Sequence, residues 1–545
     1  MSRFENCKTA LLAFILVSAT FLLQRNVFIN LADEGFLWYG TWRASLGEVP
    51  LRDFTAYYPG RYYWGALWFK LFGDGVLALR ASNAIFQFLG LTCGLLVLRR
   101  LSRQWRFLIP AGLVLLLWMH PLYKVFEMSI VMACLYFAVR LIENPTARRL
   151  FTTGVFVGLA ACFGRHLGLY SFLVFLSLIM ILRFRYDSET EGPRNIFKRI
   201  AIWSGGIIVG FSPILLMVLM VPGFFGAFLD GFMIFYRIKT TNITLPIPLP
   251  WNVFSHLYPQ VNFSASWAAR FILMCAGILY IVWLGFFVLT LLCVVFKKPR
   301  LTPPMTVLIA SALVAAPCFH YAATRYDFDH IAMNIYPLLT GFLALSFVLE
   351  PYRKRITGAA CRVVRGGVVL SAFPAILLSS GYLKPGAEAG ALVQAQIGED
   401  RLWVRKERAY LIERIRQLDR NCFDAEEGLL VAPHWPTIYP MLKRESPLHM
   451  IYFLFQETAD RQRDMIAAIE AKNVNWAILG DVKLDGREDL RFRNTHRLLW
   501  EHIVNEFDPI SISGFPDNYL LYHRRGKGHN ISAFCATAIN EGQTA

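Results

Sequence analysis

The chain reads as a polytopic α-helical membrane protein with a C-terminal extracytoplasmic α/β domain, and three observations predict that class. Only 17% of its 545 residues are charged and 56% are hydrophobic, against about 25% charged residues in an ordinary soluble domain. Long apolar runs recur through residues 1–382, and the mean hydropathy of the whole chain is +0.43. The loops between those runs alternate between basic and non-basic, as the loops of a multi-pass protein do. Aromatic residues make up 15% of the chain, in keeping with Trp and Tyr lining both membrane interfaces.

A helix needs roughly 17–25 apolar residues to cross a bilayer. About eleven such runs lie near 9–24, 76–98, 106–120, 124–142, 150–164, 167–183, 200–222, 268–296, 304–320, 331–349 and 363–382. The third and fifth are short, which suits partial embedding. The first has a basic start and a short apolar core but no clear small-x-small cleavage site, so it reads as a retained signal anchor.

Basic residues gather in alternate loops: Arg99, Arg100, Arg103 and Arg106, then Arg148 and Arg149, then Arg183, Arg185, Arg194, Lys198 and Arg199. Lys297, Lys298 and Arg300 follow, and last Arg353, Lys354 and Arg355. The positive-inside rule makes these loops and the N-terminus cytoplasmic. Loops 25–75, 119–125, 165–167, 223–267 and 321–330 then face outward, as does everything from about 383. The expected location is the inner (plasma) membrane. The net charge of +17 sits mostly in these short loops, so nucleic acid is not expected as a partner.

Two domains follow: a membrane domain at 1–382 and a soluble periplasmic α/β domain at 383–545, joined through YLKPGAEAG. In the soluble part, RLWVRKERAYLIERIRQLDR has helical periodicity, GLLVAP and WAILGDV read as buried strands, and NYLLYHRR as a closing strand. It carries no glycine-rich phosphate loop or nucleophile elbow, so a scaffold or lid is expected. Six cysteines lie inside the spans, where they act as small apolar residues. Cys422 and Cys535 lie in the soluble domain, and no spacing demands that they pair. No Cys/His cluster has zinc spacing.

The outer segment 25–75 is far longer than an ordinary connection. Its aromatic and apolar residues predict two short interface helices, separated by the turn Tyr58-Pro59-Gly60. Membrane anchoring accounts for those residues but not for the charges among them. Asp33 and Glu34 follow the first span directly, and Arg52, Asp53 and Arg61 lie in the same segment. An acid at a membrane boundary is costly and is by default a functional candidate.

Three further outward features are expected to converge with it. They are Lys124 with Glu127, then Arg165-His166 in CFGRHLGLYSF, then Arg325, Asp327, Asp329 and His330 in ATRYDFDHIAMNIYP. Arginine at such a boundary is costly unless paired or placed to bind an anion such as phosphate. A local ion pair with Asp327 or Asp329 is as good a reading of Arg325 as ligand binding. His166 and His330 read first as hydrogen-bonding boundary residues. Arg237 and Lys239 either face the outer site or form a solvated face.

This set suits transfer of a sugar from a polyprenyl phosphate. Departure of the lipid phosphate leaves negative charge for arginines to stabilise. A carboxylate takes the acceptor hydroxyl proton while its oxygen attacks the anomeric carbon, so an inverting displacement is expected. Asp33 is the expected base, with Glu34 positioning it or binding acceptor. Phosphate leaves without a protein acid.

At LADEGFLWYGTWRASLGEVPLRDFTAYYPGRYYWGALWFKLFG, GRHLGLYSF and TRYDFDHIAMNIYPLL the chain resembles the GT-C superfamily of polytopic glycosyltransferases. Within it, the likeness is to the bacterial set related to protein O-mannosyltransferases, lipid A aminoarabinose transferases and lipopolysaccharide galacturonosyltransferases. The resemblance covers most of 1–350. It implies Asp33 as catalytic base, and Arg165 and Arg325 as lipid-phosphate ligands. Arg52, Asp53, Tyr58, Arg61, His166, Asp327 and His330 are carried as further substrate-side residues, and Glu127 as the nearest counterpart of a second carboxylate. The acids form no recognisable metal set, so a metal-independent enzyme without cofactor is expected. The acceptor is an envelope lipid, a polysaccharide or a protein hydroxyl. The competing readings are a flippase for a lipid-linked glycan and a non-enzymatic envelope assembly protein. No inverted repeat or pair of broken central spans supports the flippase.

Overall fold

In lipid, a helix satisfies its own backbone amides, and among the described residues all eleven apolar runs fall largely on helices or helix pairs. The computed structural model describes residues 3–186, 194–238, 243–253, 267–350, 355–379, 391–424, 427–512 and 515–526. In chain order the helices up to residue 181 are α1 (Arg3–Gln24), α2 (Asp33–Ser45), α3 (Pro59–Phe72), α4 (Val76–Leu98), α5 (Trp105–Trp118), α6 (Val125–Glu143), α7 (Ala147–Phe163) and α8 (Arg165–Ile181). There follow α9 (Arg194–Met220), α10 (Phe224–Ile238), α11 (Pro250–Val253), α12 (Trp267–Lys297), α13 (Pro303–Thr324), α14 (Phe328–Asn334), α15 (Tyr336–Leu349), α16 (Arg355–Leu370) and α17 (Ala372–Ser379).

Among the described residues, seven helices are long and apolar enough to cross a membrane: those containing the cores of α1, α4, α6, α8, α9, α12 and α13. Helices α14 and α15 meet at a 55° bend and together supply an eighth. The chain is a multi-pass membrane protein. Of the remaining three expected spans, 363–382 is divided at Ser371 between α16 and α17 and its last three residues lie outside the described residues, and the other two fall short by length. At 1.5 Å per residue, α5 with 14 residues and α7 with 17 reach roughly 21–26 Å, below a hydrocarbon core of about 30 Å.

The residues cluster into two compact units: 1–23, 81–225 and 240–387 in the first, and 24–80, 226–239 and 388–545 in the second. In the first, side chains set helix starts. Thr146 accepts from the Arg149 amide ahead of α7, and Thr302 from the Met305 amide ahead of α13, where Pro303 takes the first helical position. Helices α7 and α9 pack backbone to backbone. A Cβ at Gly154, Gly158, Gly206 or Gly210 would stand 2.1–2.3 Å from a carbonyl oxygen of the facing helix. Small residues four apart on both helices permit this approach, the usual means of association in lipid.

The second unit holds two sheets. Strands β1 (Leu392–Ile397) and β2 (Asp400–Arg405) form an antiparallel hairpin. Residues 26–28 extend it, with Trp403 N–H donating to the Asn26 carbonyl at 2.7 Å and Phe28 N–H to the Trp403 carbonyl at 2.8 Å. The four-stranded sheet has β3 (Gly428–Ala432), β4 (Val474–Gly480), β5 (Phe507–Ile510) and β6 (Tyr519–Arg524) in the order β3-β4-β6-β5. Only β3 and β4 run parallel. Strand β4 is buried along its whole length, as a continuous apolar run predicts. Helices α18 (Lys406–Asn421), α19 (Ile438–Leu442), α20 (Ala459–Ala471), α21 (Phe492–Thr495) and α22 (Arg497–Glu506) complete the unit. Ile469, Phe492, Leu499, Ile503 and Phe507 pack on Val474, Ala477 and Leu479 in its core.

The three strands read from sequence are present. The expected helix RLWVRKERAYLIERIRQLDR begins later: its first five residues form β2, and Leu402 and Val404 point inward by strand alternation. Cys422 is disulfide-bonded, and Cys535 lies outside the described residues, as do Lys239 and the side chain of Arg237.

Candidate functional site

Helix α2 begins at Asp33, and its first turn is fixed from several directions. The Asn30 side chain accepts from the Ala32 and Asp33 amides at 2.9 and 3.0 Å. Glu34 is buried, and Arg80 grips both its oxygens, Nε to Oε1 at 2.7 Å and Nη2 to Oε2 at 2.9 Å. Arg80 also donates to the carbonyls of Arg25 and Phe28 at 2.7 Å. A buried charge needs a partner and hydrogen bonds for its remaining valences, and here both sides have them. Ten of the thirteen residues of α2, from Glu34 to Ala44, are buried. A surface stripe is therefore missing from α2, because α3, Phe54 and the segment carrying Thr437 and Ser446 all pack against it. The Tyr39 hydroxyl accepts from the Ser446 amide at 3.1 Å. A Cβ at Gly35 would lie 2.4 Å from the Thr437 backbone nitrogen.

Asp33, unlike Glu34, is only partly buried. The neighbouring loop is held to this end of α2 by Thr437, whose hydroxyl and amide both donate to the Leu31 carbonyl, at 2.9 and 3.2 Å. It brings up His434. Burial takes the His434 pKa down to about 4, against the opposing fields of Asp33 and Asp485. Its Nε2 is buried without a hydrogen-bond partner. A neutral imidazole thus stands within the electrostatic reach of Asp33.

The rest of segment 25–75 forms a second cluster in the same unit. Arg52 and Asp53 make a two-pronged pair at 2.7 and 2.8 Å, and Asp53 also accepts from the Val49 amide at 2.7 Å. The hydrogen bond from Arg52 holds the Asp53 carboxyl below the usual range. These contacts close the turn between α2 and α3. Arg61 is buried, with its guanidinium 5.3 Å from the centre of the Tyr57 ring. Tyr58 precedes α3 and meets Phe228 edge-on at 6.3 Å.

The first unit groups another set. Asp327 caps α14, accepting from the His330 amide at 2.8 Å and lying 2.7 Å from His330 Nδ1. Arg325 donates to Asp327 at 2.5 Å and to the Ile243 carbonyl at 3.2 Å, so the local ion pair read from sequence is formed. His166 stacks on Tyr321 at 4.5 Å, and Tyr321 on His330 at 5.5 Å. Arg165 opens α8. Glu127 lies inside the first turn of α6 and is buried. Arg80, Asn30 and His434 went unread in the sequence. Arg80 looked like an ordinary basic residue at a span end, and the stretch VAPHWPT carries no spacing signal.

No protein-family model matches the chain, and no curated protein does. Among solved structures it is similar to ArnT from Cupriavidus metallidurans bound to undecaprenyl phosphate, with a TM-score of 0.49 and 13% identity over 96% of this chain and 98% of that one. The apo form of the same protein gives 0.44 and 14%, over 93% and 97%. The Archaeoglobus fulgidus oligosaccharyltransferase in its apo form gives 0.47 and 12%, over 97% of this chain and 75% of that one. At these scores the likeness assigns neither activity nor residue roles to this chain.

Proposed function

We propose that the chain is an integral membrane glycosyltransferase, moving a sugar from a polyprenyl-phosphate donor to an envelope acceptor on the outer face of the cytoplasmic membrane. The observation that carries this reading is the fixation of Asp33. A partly exposed carboxylate is held at the head of a buried helix by the Asn30 cap, the Glu34–Arg80 pair and the Thr437 contact. Precise placement of a base in a multi-pass protein is what such a transfer requires. The donor class is supported by the resemblance at the three sequence segments, and the outward side by the alternation of basic loops.

Asp33 takes the proton of the acceptor hydroxyl. The oxygen forms a bond to the anomeric carbon as the bond to the phosphate oxygen breaks, and the electron pair leaves with the lipid phosphate. The configuration inverts. Glu34 positions Asp33 through Arg80. Arg165 and Arg325 of the first unit are the proposed phosphate ligands, with His166, Asp327 and His330 orienting them. Arg52, Asp53, Tyr58 and Arg61 shape the acceptor side, and Glu127 is a proposed second carboxylate.

The test is mass spectrometry of envelope glycolipids and polysaccharides from cells lacking the gene, rescued with wild type or with Asp33→Asn. One sugar missing, restored by wild type and not by Asp33→Asn at equal protein level, is the expected result. Full restoration by Asp33→Asn would remove Asp33 from the chemistry. No missing sugar, with lipid-linked intermediates accumulating on the inner leaflet, would favour a flippase.

A further inference from the structure

The turn between α6 and α7, in the first unit, borders a cavity of about 640 Å³. Arg140, Arg148 and Arg149 line it, together with Val155, Phe156 and Leu159. Its polarity is graded. Arg148, Thr152, Val155 and Leu159 follow at helical spacing along α7, so one face of that helix passes from cation to hydrocarbon over roughly 16 Å.

Among the described residues no carboxylate forms an ion pair with Arg140, Arg148 or Arg149, although the charge of Glu143 acts on Arg149. Arg140 rests on Tyr136, 5.6 Å from the ring centre, and donates to its hydroxyl at 3.3 Å. Arg149 donates to the carbonyls of Arg140 and Asn144, at 2.5 and 3.3 Å. Glu143, the nearest acid in sequence, is paired with Arg100 at 2.9 Å. Three like charges around one cavity repel each other, and an anion among them relieves that repulsion. Guanidinium forks match phosphate oxygens. Arg140 stands in the last turn of α6, a helix long enough to cross a membrane, and Arg148 and Arg149 follow in the first turn of α7; basic residues at the end of a span are placed to meet anionic headgroups.

We propose that this cavity binds a phosphate group borne on an apolar carrier, the phosphate among Arg140, Arg148 and Arg149 and the hydrocarbon along Val155, Phe156 and Leu159. The site is independent of the transferase reading, since it uses none of the residues assigned to it. It makes an anionic phospholipid a structural ligand of the α6–α7 pair.

Native mass spectrometry of the full-length chain in detergent tests it, with phosphatidylglycerol, phosphatidylcholine and inorganic phosphate as probes. Wild type retains phosphatidylglycerol and not phosphatidylcholine. The triple variant Arg140→Gln, Arg148→Gln, Arg149→Gln binds phosphatidylglycerol about a hundredfold more weakly, summing the contribution of three basic residues near an anionic lipid. The double variant Arg103→Gln, Arg106→Gln, in a basic loop outside the cavity, binds as wild type. Thr152→Trp keeps every charge but sets an indole between the cations and the apolar wall of Val155, Phe156 and Leu159, and also loses the lipid. The last variant decides the matter if the triple variant fails to insert. Equal loss in the Arg103/Arg106 variant would reduce the effect to general surface charge and overturn the site. So would full retention by Thr152→Trp, or displacement of the lipid by an equal concentration of inorganic phosphate.

Discussion

Replacing Arg80, on α4, with alanine should loosen α2 more than any single change within segment 25–75. The side chains of Arg80 and Glu34 are 8% and 6% exposed, so the pair is shielded from solvent screening. Removing one member leaves the other charge buried and uncompensated, which costs about 3–5 kcal/mol. The carbonyls of Arg25 and Phe28 lose their donor as well, but they are near enough to the surface for water to replace it. At 1.4 kcal/mol per tenfold, amides of α2 should exchange hydrogen roughly a hundred to several thousand times faster in Arg80→Ala, while those of α20 keep their wild-type rates. Combining Arg80→Met with Glu34→Leu removes both charges and should recover most of the protection, since an apolar pair of similar volume replaces a buried ion pair at little cost. A change below about 1 kcal/mol in Arg80→Ala, or a double variant no better than the single, would refute the reasoning.

Two other regions give independent expectations. His496 is buried, stacks on Phe492 at 5.1 Å, and has its pKa pushed down to about 4 by burial. Between its ordinary value near 6.5 and 4, the unfolded chain takes up a proton that the folded one refuses, so stability is full above pH 6.5 and falls by about 3 kcal/mol as pH drops through that window. His496→Phe should make this acid limb shallower for the β4 amides in hydrogen exchange, the rest being carried by His434 in the same unit, and parallel limbs in both proteins would count against it. In the membrane unit, Gly158→Leu would drive a Cβ to 2.3 Å from the Ile207 carbonyl, whereas Gly205, on the same partner helix, has nothing within 4 Å. Thermal melting in detergent should show Gly158→Leu destabilised, by about 1–3 kcal/mol or more, and Gly205→Leu close to wild type. Equal melting points would mean that α7 and α9 do not pack through these glycines.

The helices were legible because lipid leaves the backbone few alternatives, and an uninterrupted apolar run is itself the signal. Strands β3 and β4 were legible for a similar reason, each being an apolar run between polar helices, and β6 as a closing run of Tyr and Leu. Strand β2 was missed because the helical pattern of α18 extends formally backward through RLWVR, while the alternation that sets β2 spans only five residues. The burial of α2 could be read only in part, since α3 and Phe54 cover it from nearby in the sequence but the segment carrying Thr437 and Ser446 lies some four hundred positions away. The same holds within the candidate site. Arg325, Asp327 and His330 were legible as a group because they lie within six consecutive residues. The Arg80 that fixes Glu34 lies 46 residues on, and His434 is farther still. Pairings made by tertiary structure leave no trace in local spacing.

Asp33 and Glu34 illustrate how far adjacency can mislead. Two acids in sequence look like a catalytic pair, but consecutive residues of a helix point about 100° apart, so one can be buried while the other meets solvent. Here Glu34 turns inward to Arg80, and Asp33 is left partly exposed beside a neutral histidine. The burial of Glu34 fixes the rotation of α2 about its own axis, and that rotation sets the direction of Asp33. On the proposed reading, Glu34 is a structural acid one residue from the base and acts as the rotational lock of the first turn, while Gly35 lets Thr437 close against that turn. On this account Glu34→Gln lowers activity only as far as it loosens α2, whereas Asp33→Asn removes activity while α2 keeps its wild-type protection from exchange. The two substitutions thus separate order from chemistry at neighbouring positions.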